Sequence, residues 1–346
     1  MILKIKNKKV GFFNSFTLGL KFDAIGSSFS FTFYFDPEND LHRDLIHVGH
    51  FHHCTVEHNG EVLVTGYLVN QTAIDKSVKQ LVSISGYSYG GNLEDSKIPS
   101  SIYPLQSDGL SLKEIATKLL NPFGLKFQVD PSVQNKMNQV YSTVTAEPTQ
   151  SVASYLQELA SQKGIIVSHL SNGDIYFTKA KTKQKPIIDF GTGIPGTDYN
   201  LTFPGQGLHS HITVMKQADE DGGNAGQSTI KNPFVIGIYR PDIKIQSAGT
   251  DIDTVTAARV ALSDELKNIK LTIVTDRWED INGKVLKPNQ IIAVQNRDIL
   301  IPHKMNWFIE SIDLEGNTNK YVSTLHCVLP EVYNLENPVN YFEEHL

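Results

Sequence analysis

Five of the chain's twelve histidines and one of its two cysteines fall in HVGHFHHCTVEHNGEV, residues 47–62. Imidazole nitrogens and a thiolate sulfur are donors that zinc favours. If the stretch is one strand, alternate side chains share a face. His50, His52 and Cys54 then stand on one side with Val48, Val56 and His58, and they are the candidate metal ligands. Same-face neighbours on one strand diverge, however, whereas a tetrahedral site draws its ligands from separate segments. The spacing matches neither a zinc finger nor an H-E-x-x-H helix. The expectation is no metal and no cofactor, with the histidines forming a partly exposed wall that gains charge in mild acid. His209 and His211 form a second same-face pair with the same reading.

Other chemistry-bearing patterns are thin. GTGIPG (191–196) lacks the Lys-Ser/Thr ending of a phosphate loop. RWED (277–280) precedes Asn282-Gly283 and reads as a hairpin tip, and the paired glycines of YSYGGN (87–92) read as a tight turn. KAKTKQKP (179–186) is basic but has no interleaved aromatics, so it reads as a solvated linker and not a phosphate-binding patch. No catalytic residue is assigned and no enzyme is expected. Two alternatives stay open: a cell-wall hydrolase whose catalytic part is the central module, and a glycan-binding component using YSYGGN and nearby aromatics.

The composition fits these limits. At 346 residues, with 40% hydrophobic and 20% charged residues, the chain reads as folded and soluble, in two or three domains. A net charge of −6 argues against a surface built to neutralise nucleic-acid phosphates. The start, MILKIKNKKVGFF, lacks the order of a secretory signal. No apolar run approaches the ~20 residues of a membrane helix. Cys54 and Cys327 are expected to be free thiols.

The elements that would position such residues follow from periodicity. Residues 1–89 read as all β: FSFTFYF (29–35) is a strand, and Asn59-Gly60 calls for a type I′ hairpin between CTVEH and EVLVTGYLV. Residues 90–180 read as an α+β module. Its first helix, 108–124, has Ser111 as N-cap and Glu114 completing a capping box, buries Leu112, Ile115 and Leu119, and stops at Pro122 and Gly124. The second, 149–164, carries Val152, Leu156 and Leu159 and ends at Gly164, before a hairpin closed by SNG. In residues 181–333 the spacing predicts a strand at GLHSHITVMKQ, a loop at 218–229, and a helix over 253–269 with Val255, Leu262, Leu266 and Ile269 on its buried stripe. Four strands follow, and 334–346 is a tail. Residues 61–88 set against 306–333 suggest an internal repeat: each is a strand, a polar turn and a strand.

Three stretches, in order, carry a resemblance. VTGYLVN with VSISGYSYGGNLEDSKIP looks like a barrel strand ending in glycine plus a basic residue, although Tyr87 stands where arginine is usual. SLKEIATKLLNPFGLKFQVD and EPTQSVASYLQELASQKGIIVSHLSNGDIYFTK look like an inserted two-helix module. TAARVALSDEL, with Arg259 at the usual basic position, and the strands from Asp276 to Tyr333 look like the last barrel and its helix. Together they resemble the baseplate hub proteins of contractile phage tails, especially of Mu-type phages. The resemblance implies a mainly β fold with an α+β insertion: two similar small β-barrel domains, at 1–89 and 181–333, flanking the module at 90–180. It implies a structural homotrimer with pseudo-six-fold symmetry, partnered by the tail tube or its initiator, the central spike and other baseplate proteins. DNA would pass through its channel without specific binding, and its place would be the virion tail, assembled in host cytoplasm. Three chains carrying two look-alike barrels each would dock a three-fold assembly onto a six-fold one. Apolar strand edges of both barrels are expected to be buried between protomers, with no residues assigned to them.

Overall fold

A computed structural model describes every residue of the chain except 11–12, 77–78, 104–105, 143, 217–225, 247–252, 318 and 344–346. The chain forms two compact units, Met1–Lys179 with Asp313–Val322, and Ala180–Ile312 with Ser323–Leu346. It is mainly β, with 41% of residues in strands against 22% in helices.

The sheet of the first unit is written by alternation. Its strands are β1 (Ile2–Ile5), β2 (Lys8–Val10), β3 (Ser15–Lys21), β4 (Ser28–Tyr34), β5 (His53–His58), β6 (Glu61–Lys76) and β7 (Lys79–Ser88). In β4, Phe29, Phe31 and Phe33 are buried while Ser28, Ser30 and Thr32, which alternate with them, are not. One face is thus apolar, and packing it organises the sheet. The ladder runs β3-β4-β7-β6-β5-β1-β2. Asn59 and Gly60 both have positive φ, 47° and 80°, as the β5–β6 turn requires. The all-β reading of 1–89 misses one short helix, α1 (Asp40–Leu45), whose N-cap Asn39 accepts bonds from the amides of Leu41 and His42.

The inserted module follows β7. Its elements are α2 (Asn92–Asp95), α3 (Leu112–Leu120), β8 (Phe127–Val129), α4 (Gln134–Met137), α5 (Val152–Gln162), β9 (Ile166–His169) and β10 (Ile175–Thr178). The capping box is present: the Glu114 amide donates to Ser111 Oγ, and the Ser111 amide donates to the Glu114 carboxylate. Gly124, with φ 65°, ends the turn that follows α3. Leu112, Ile115 and Leu119 of α3 meet Val152, Leu156 and Leu159 of α5 and Val167 and Phe177 of the small β8-β10-β9 sheet in one core. His169 at the end of β9 ties the module to the first sheet's loop. Its Nδ1 lies 3.0 Å from the Ala24 carbonyl oxygen and its Nε2 2.7 Å from Ser27 Oγ.

The remaining strands are β11 (Asp189–Gly191), β12 (Thr197–Thr202), β13 (His211–Lys216), β14 (Gln227–Lys231), β15 (Pro241–Gln246), β16 (Lys270–Thr275), β17 (Ile291–Asn296), β18 (Ile301–Asn317) and β19 (Tyr321–Val328), and the helices are α6 (Thr254–Leu266) and α7 (Glu331–Asn334); all lie in the second unit except the end of β18 from Asp313 and the start of β19 to Val322. One ladder runs β12-β16-β19-β18-β17-β11, and a separate sheet runs β14-β13-β15. The hydroxyl of Tyr199 on β12 donates to the Gly191 carbonyl of β11, drawing the two ends of the long ladder toward each other.

Several expectations need correction here. Residues 218–225 of the expected loop lie outside the described residues, while Gln227–Thr229 belong to β14. Val255 is exposed on α6. The buried face is Ala258, Ala261, Leu262, Glu265 and Leu266, because the small alanines let the helix close on β13 and β14. Within the tail at 334–346, Phe342 packs edge-on to Phe203 and Phe234, and just before it Tyr333 donates to Glu310.

The two long ladders share one path. Taken in chain order, β1, β3, β4, β5, β6 and β7 occupy the same places as β11, β12, β16, β17, β18 and β19. The middle pairs are antiparallel in both, as are the hairpins they contain. Each carries a register shift in the matching ladder, at Val56/Glu57 and at Val294/Asn296. The end pairs differ, since β1–β5 is antiparallel and β11–β17 parallel. Residues are matched from the hairpin tips. The closing pair Lys76↔Lys79 corresponds to Asn317 and Lys320, joined by the Asn317 amide to the Lys320 carbonyl. Setting 61–88 directly on 306–333 had placed Lys76 opposite Tyr321 instead.

Two outcomes test this packing. Ser111→Ala should cost about 1 kcal/mol, read as a lower urea midpoint with an unchanged slope. Burial holds the His169 imidazole below its ordinary value, against the raising effect of the Ala24 carbonyl bond. The unfolded chain then binds the proton more tightly, so stability is full above about 6.5 and falls as pH drops below it. His169→Gln should flatten that part of the pH dependence of the urea midpoint.

Candidate functional site

The histidine stretch is not one continuous strand. β5 begins at His53, and residues 47–52 form a surface turn in which Val48 and Phe51 are exposed. The His47 ring stacks on His50 at 4.1 Å, and His50 meets His52 edge-on at 5.4 Å. Burial, followed by the nearby Lys6 and His50 charges, lowers the His52 pKa. Cys54 is buried in the sheet core, as is Val56 two residues on. Its thiol donates to the Gly66 carbonyl at 3.5 Å and is pushed up to about 12 by burial. The strand face that was to present His50, His52 and Cys54 together therefore starts too late in the chain to exist. A buried, protonated thiol is also a poor ligand.

Among the described residues, the one gathered set of three such donors is His209, Asp242 and Glu265, with ligand atoms within 4.8 Å of one another. Its geometry is that of a structural tie. Buried Glu265 on α6 accepts from the His209 amide at 2.8 Å and lies 2.7 Å from His209 Nδ1. His211 opens β13 and turns to the Tyr239 ring, so the two histidines do not present one face. In YSYGGN, Tyr87 donates to Asp95 at 2.9 Å. A side chain at Gly90 would collide with the Ile25 carbonyl, so close approach of backbone explains that glycine. Asp280 of RWED accepts from the amides of Asn282 and Lys284, which makes the segment a pinned turn.

What the molecule presents instead is strand edge. β5 pairs with β6 only as far as His53↔Tyr67, so among the described residues Asn70–Lys76 of β6 have β7 as their one strand partner. β12 pairs with β16, and among the described residues it has no strand on its other side. The corresponding edges of the other ladder are already joined. Within the first unit, the segment Asp313–Val322 carries the end of β18 to β3. Asp313 lies beside Gly19, and Gly316 and Tyr321 lie against the Phe16 ring. A second exposed surface is apolar: Ile243 and Ile245 alternate outward on β15, with Ile236, Ile238 and Tyr239 in the preceding segment. Edges and apolar faces of this kind bind other polypeptide. The PDIKIQ alternation announced the second surface in the sequence. Nothing local announced the first.

Residues 92–179 match the family described as baseplate hub protein gp44-like, second domain. No curated protein sequence matches the chain. Among solved structures, the 43 kDa tail protein of prophage MuSo2 from Shewanella oneidensis superposes with a TM-score of 0.82 at 19% identity, covering 96% of this chain and 99% of that one. A tail protein from Neisseria meningitidis MC58 gives 0.76 at 16% identity, covering 97% and 98%. An E. coli component of the type VI secretion system, described as similar in structure to the T4 tail proteins gp27 and gp5, gives 0.58 at 10% identity, covering 97% and 79%. The chain thus carries a gp44-like hub domain within the fold of Mu-like prophage tail proteins and gp27-like hubs.

Truncating the buried tie tests its structural role. Glu265→Ala strips the His209 amide and ring of their partner and should cost about 1–3 kcal/mol, seen as a lower urea midpoint.

Proposed function

We propose that this chain, a baseplate hub or tail protein of a phage or type VI-like tail, is a structural ring-forming hub. Three copies close into a ring, and each supplies two copies of one tube-building β unit. Six similar units then meet a six-fold tail tube on one side, while the three-fold remains for a spike on the other. The observation that carries this reading is the shared strand path of the two ladders. A chain that repeats one β unit, with the module inserted between the copies, has the symmetry to adapt three to six. The matched hub domain and the tail-protein fold support it.

The function is mechanical and no chemical step is assigned. The ring closes the tube until the spike leaves, and its channel then conducts DNA or another cargo. A net charge of −6 suits a channel that must not bind a polyanion. The described residues include no helix long and apolar enough to cross a membrane. The protein's place in this reading is the tail baseplate.

Light scattering on the pure protein at micromolar concentration tests the assembly. The expected mass is three times the 38.5 kDa chain. A monomer, or closure with another number of subunits, would sink the reading.

A further inference from the structure

Each chain has two long hairpin tips and two strands able to receive one, yet only one such pair is made internally. The tip of β18–β19 lies along β3, within the first unit. The tip of β6–β7 and the strand β12 are their counterparts on the shared path, and among the described residues both keep an open edge. We infer that β6 of one copy adds to β12 of the next, repeating between chains the β18–β3 contact made within each. The occupant of the open β12 edge is therefore a second copy of this chain. The inference rests on the ring reading and specifies its joint.

The internal contact dictates the register. Asp313 faces Gly19 and Gly316 faces Phe16, so one index rises as the other falls and the run is antiparallel. Counting back from the hairpin tips, Asp313 corresponds to Thr72 and Gly316 to Asp75. Stepping across the paired strands, Gly19 corresponds to Thr202 and Phe16 to Tyr199. Thr72 of one chain should then lie beside Thr202 of its neighbour, and position 75 beside Tyr199. Thr72 and Thr202 are both exposed in the single chain, so cysteine is tolerated at each. Cross-strand neighbours in an antiparallel pair lie about 4.5–5.5 Å apart, within the span of a disulfide. A contact between two different patches is head-to-tail, and it closes only if the rotation permits.

The test is the double variant Thr72→Cys/Thr202→Cys, oxidised at micromolar concentration and run without reductant. Cys54 and Cys327 are buried and contribute no background. The expected result is interchain disulfides with covalent species ending at three chains, and none in either single variant. A trimer by light scattering with no interchain disulfide would overturn the strand pairing and leave the ring reading standing. Disulfide-linked chains growing beyond three would support the pairing and end the ring reading. Hydrogen exchange on the unaltered protein gives an independent check: amides of residues 198–202 should slow as concentration rises. Exchange unchanged across the concentrations at which trimer forms would overturn the proposal.

Discussion

Every residue of a β-strand carries a backbone donor and an acceptor, and each must find a partner or water. In this chain the constraint falls on two unusually long strands. β6 has 16 residues against 6 in its neighbour β5, and β18 has 17 against 6 in β17. Each hairpin therefore runs out past its short neighbour, leaving an edge that this neighbour does not reach. For β18 that edge is taken by β3, reinforced by Gly316 and Tyr321 closing on the Phe16 ring. In the inter-chain pairing proposed above, such an overhang turns a backbone requirement into an assembly device, because the projecting strand already has its hairpin partner before anything docks.

The rest of the architecture keeps these overhangs in place. In the first sheet, Phe29, Phe31 and Phe33 lie on one buried face, so a slip of one residue would turn all three into solvent. The module hangs from the end of β7 and has its own core, formed by α3, α5 and the β8-β10-β9 sheet. It meets the first sheet's β3–β4 loop through Ile25, which joins that core, and through the His169 contacts to Ala24 and Ser27. In the second unit, α6 is laid on β13 and β14 by alanine packing and by the Glu265–His209 bonds. Polar groups that look catalytic in a list of residues are engaged in joining elements.

The histidine-rich stretch shows the same economy. His47, His50 and His52 cluster ring to ring on a surface turn, and Cys54 belongs to the hydrophobic core. Residue types alone offered zinc chemistry there. The direction in which β5 starts, set by its pairing with β1 and β6, separates the thiol from the imidazoles.

Sequence alone determined whatever depends on near neighbours. Aromatic and β-branched richness marked β4, Asn59-Gly60 marked the turn between β5 and β6, and Ser111 with Glu114 marked the start of α3. Each of these is decided within a few residues by sterics and local hydrogen bonds. The ordered hub-like motifs also pointed to the kind of protein. Only the tertiary structure decided which edge each strand meets, because β3 and the end of β18 lie some 300 residues apart and backbone hydrogen bonds carry no side-chain signature. For the same reason the residue-by-residue match of the two hairpins, with Lys76 at the place of Asn317, became visible only when the ladders could be counted from their tips.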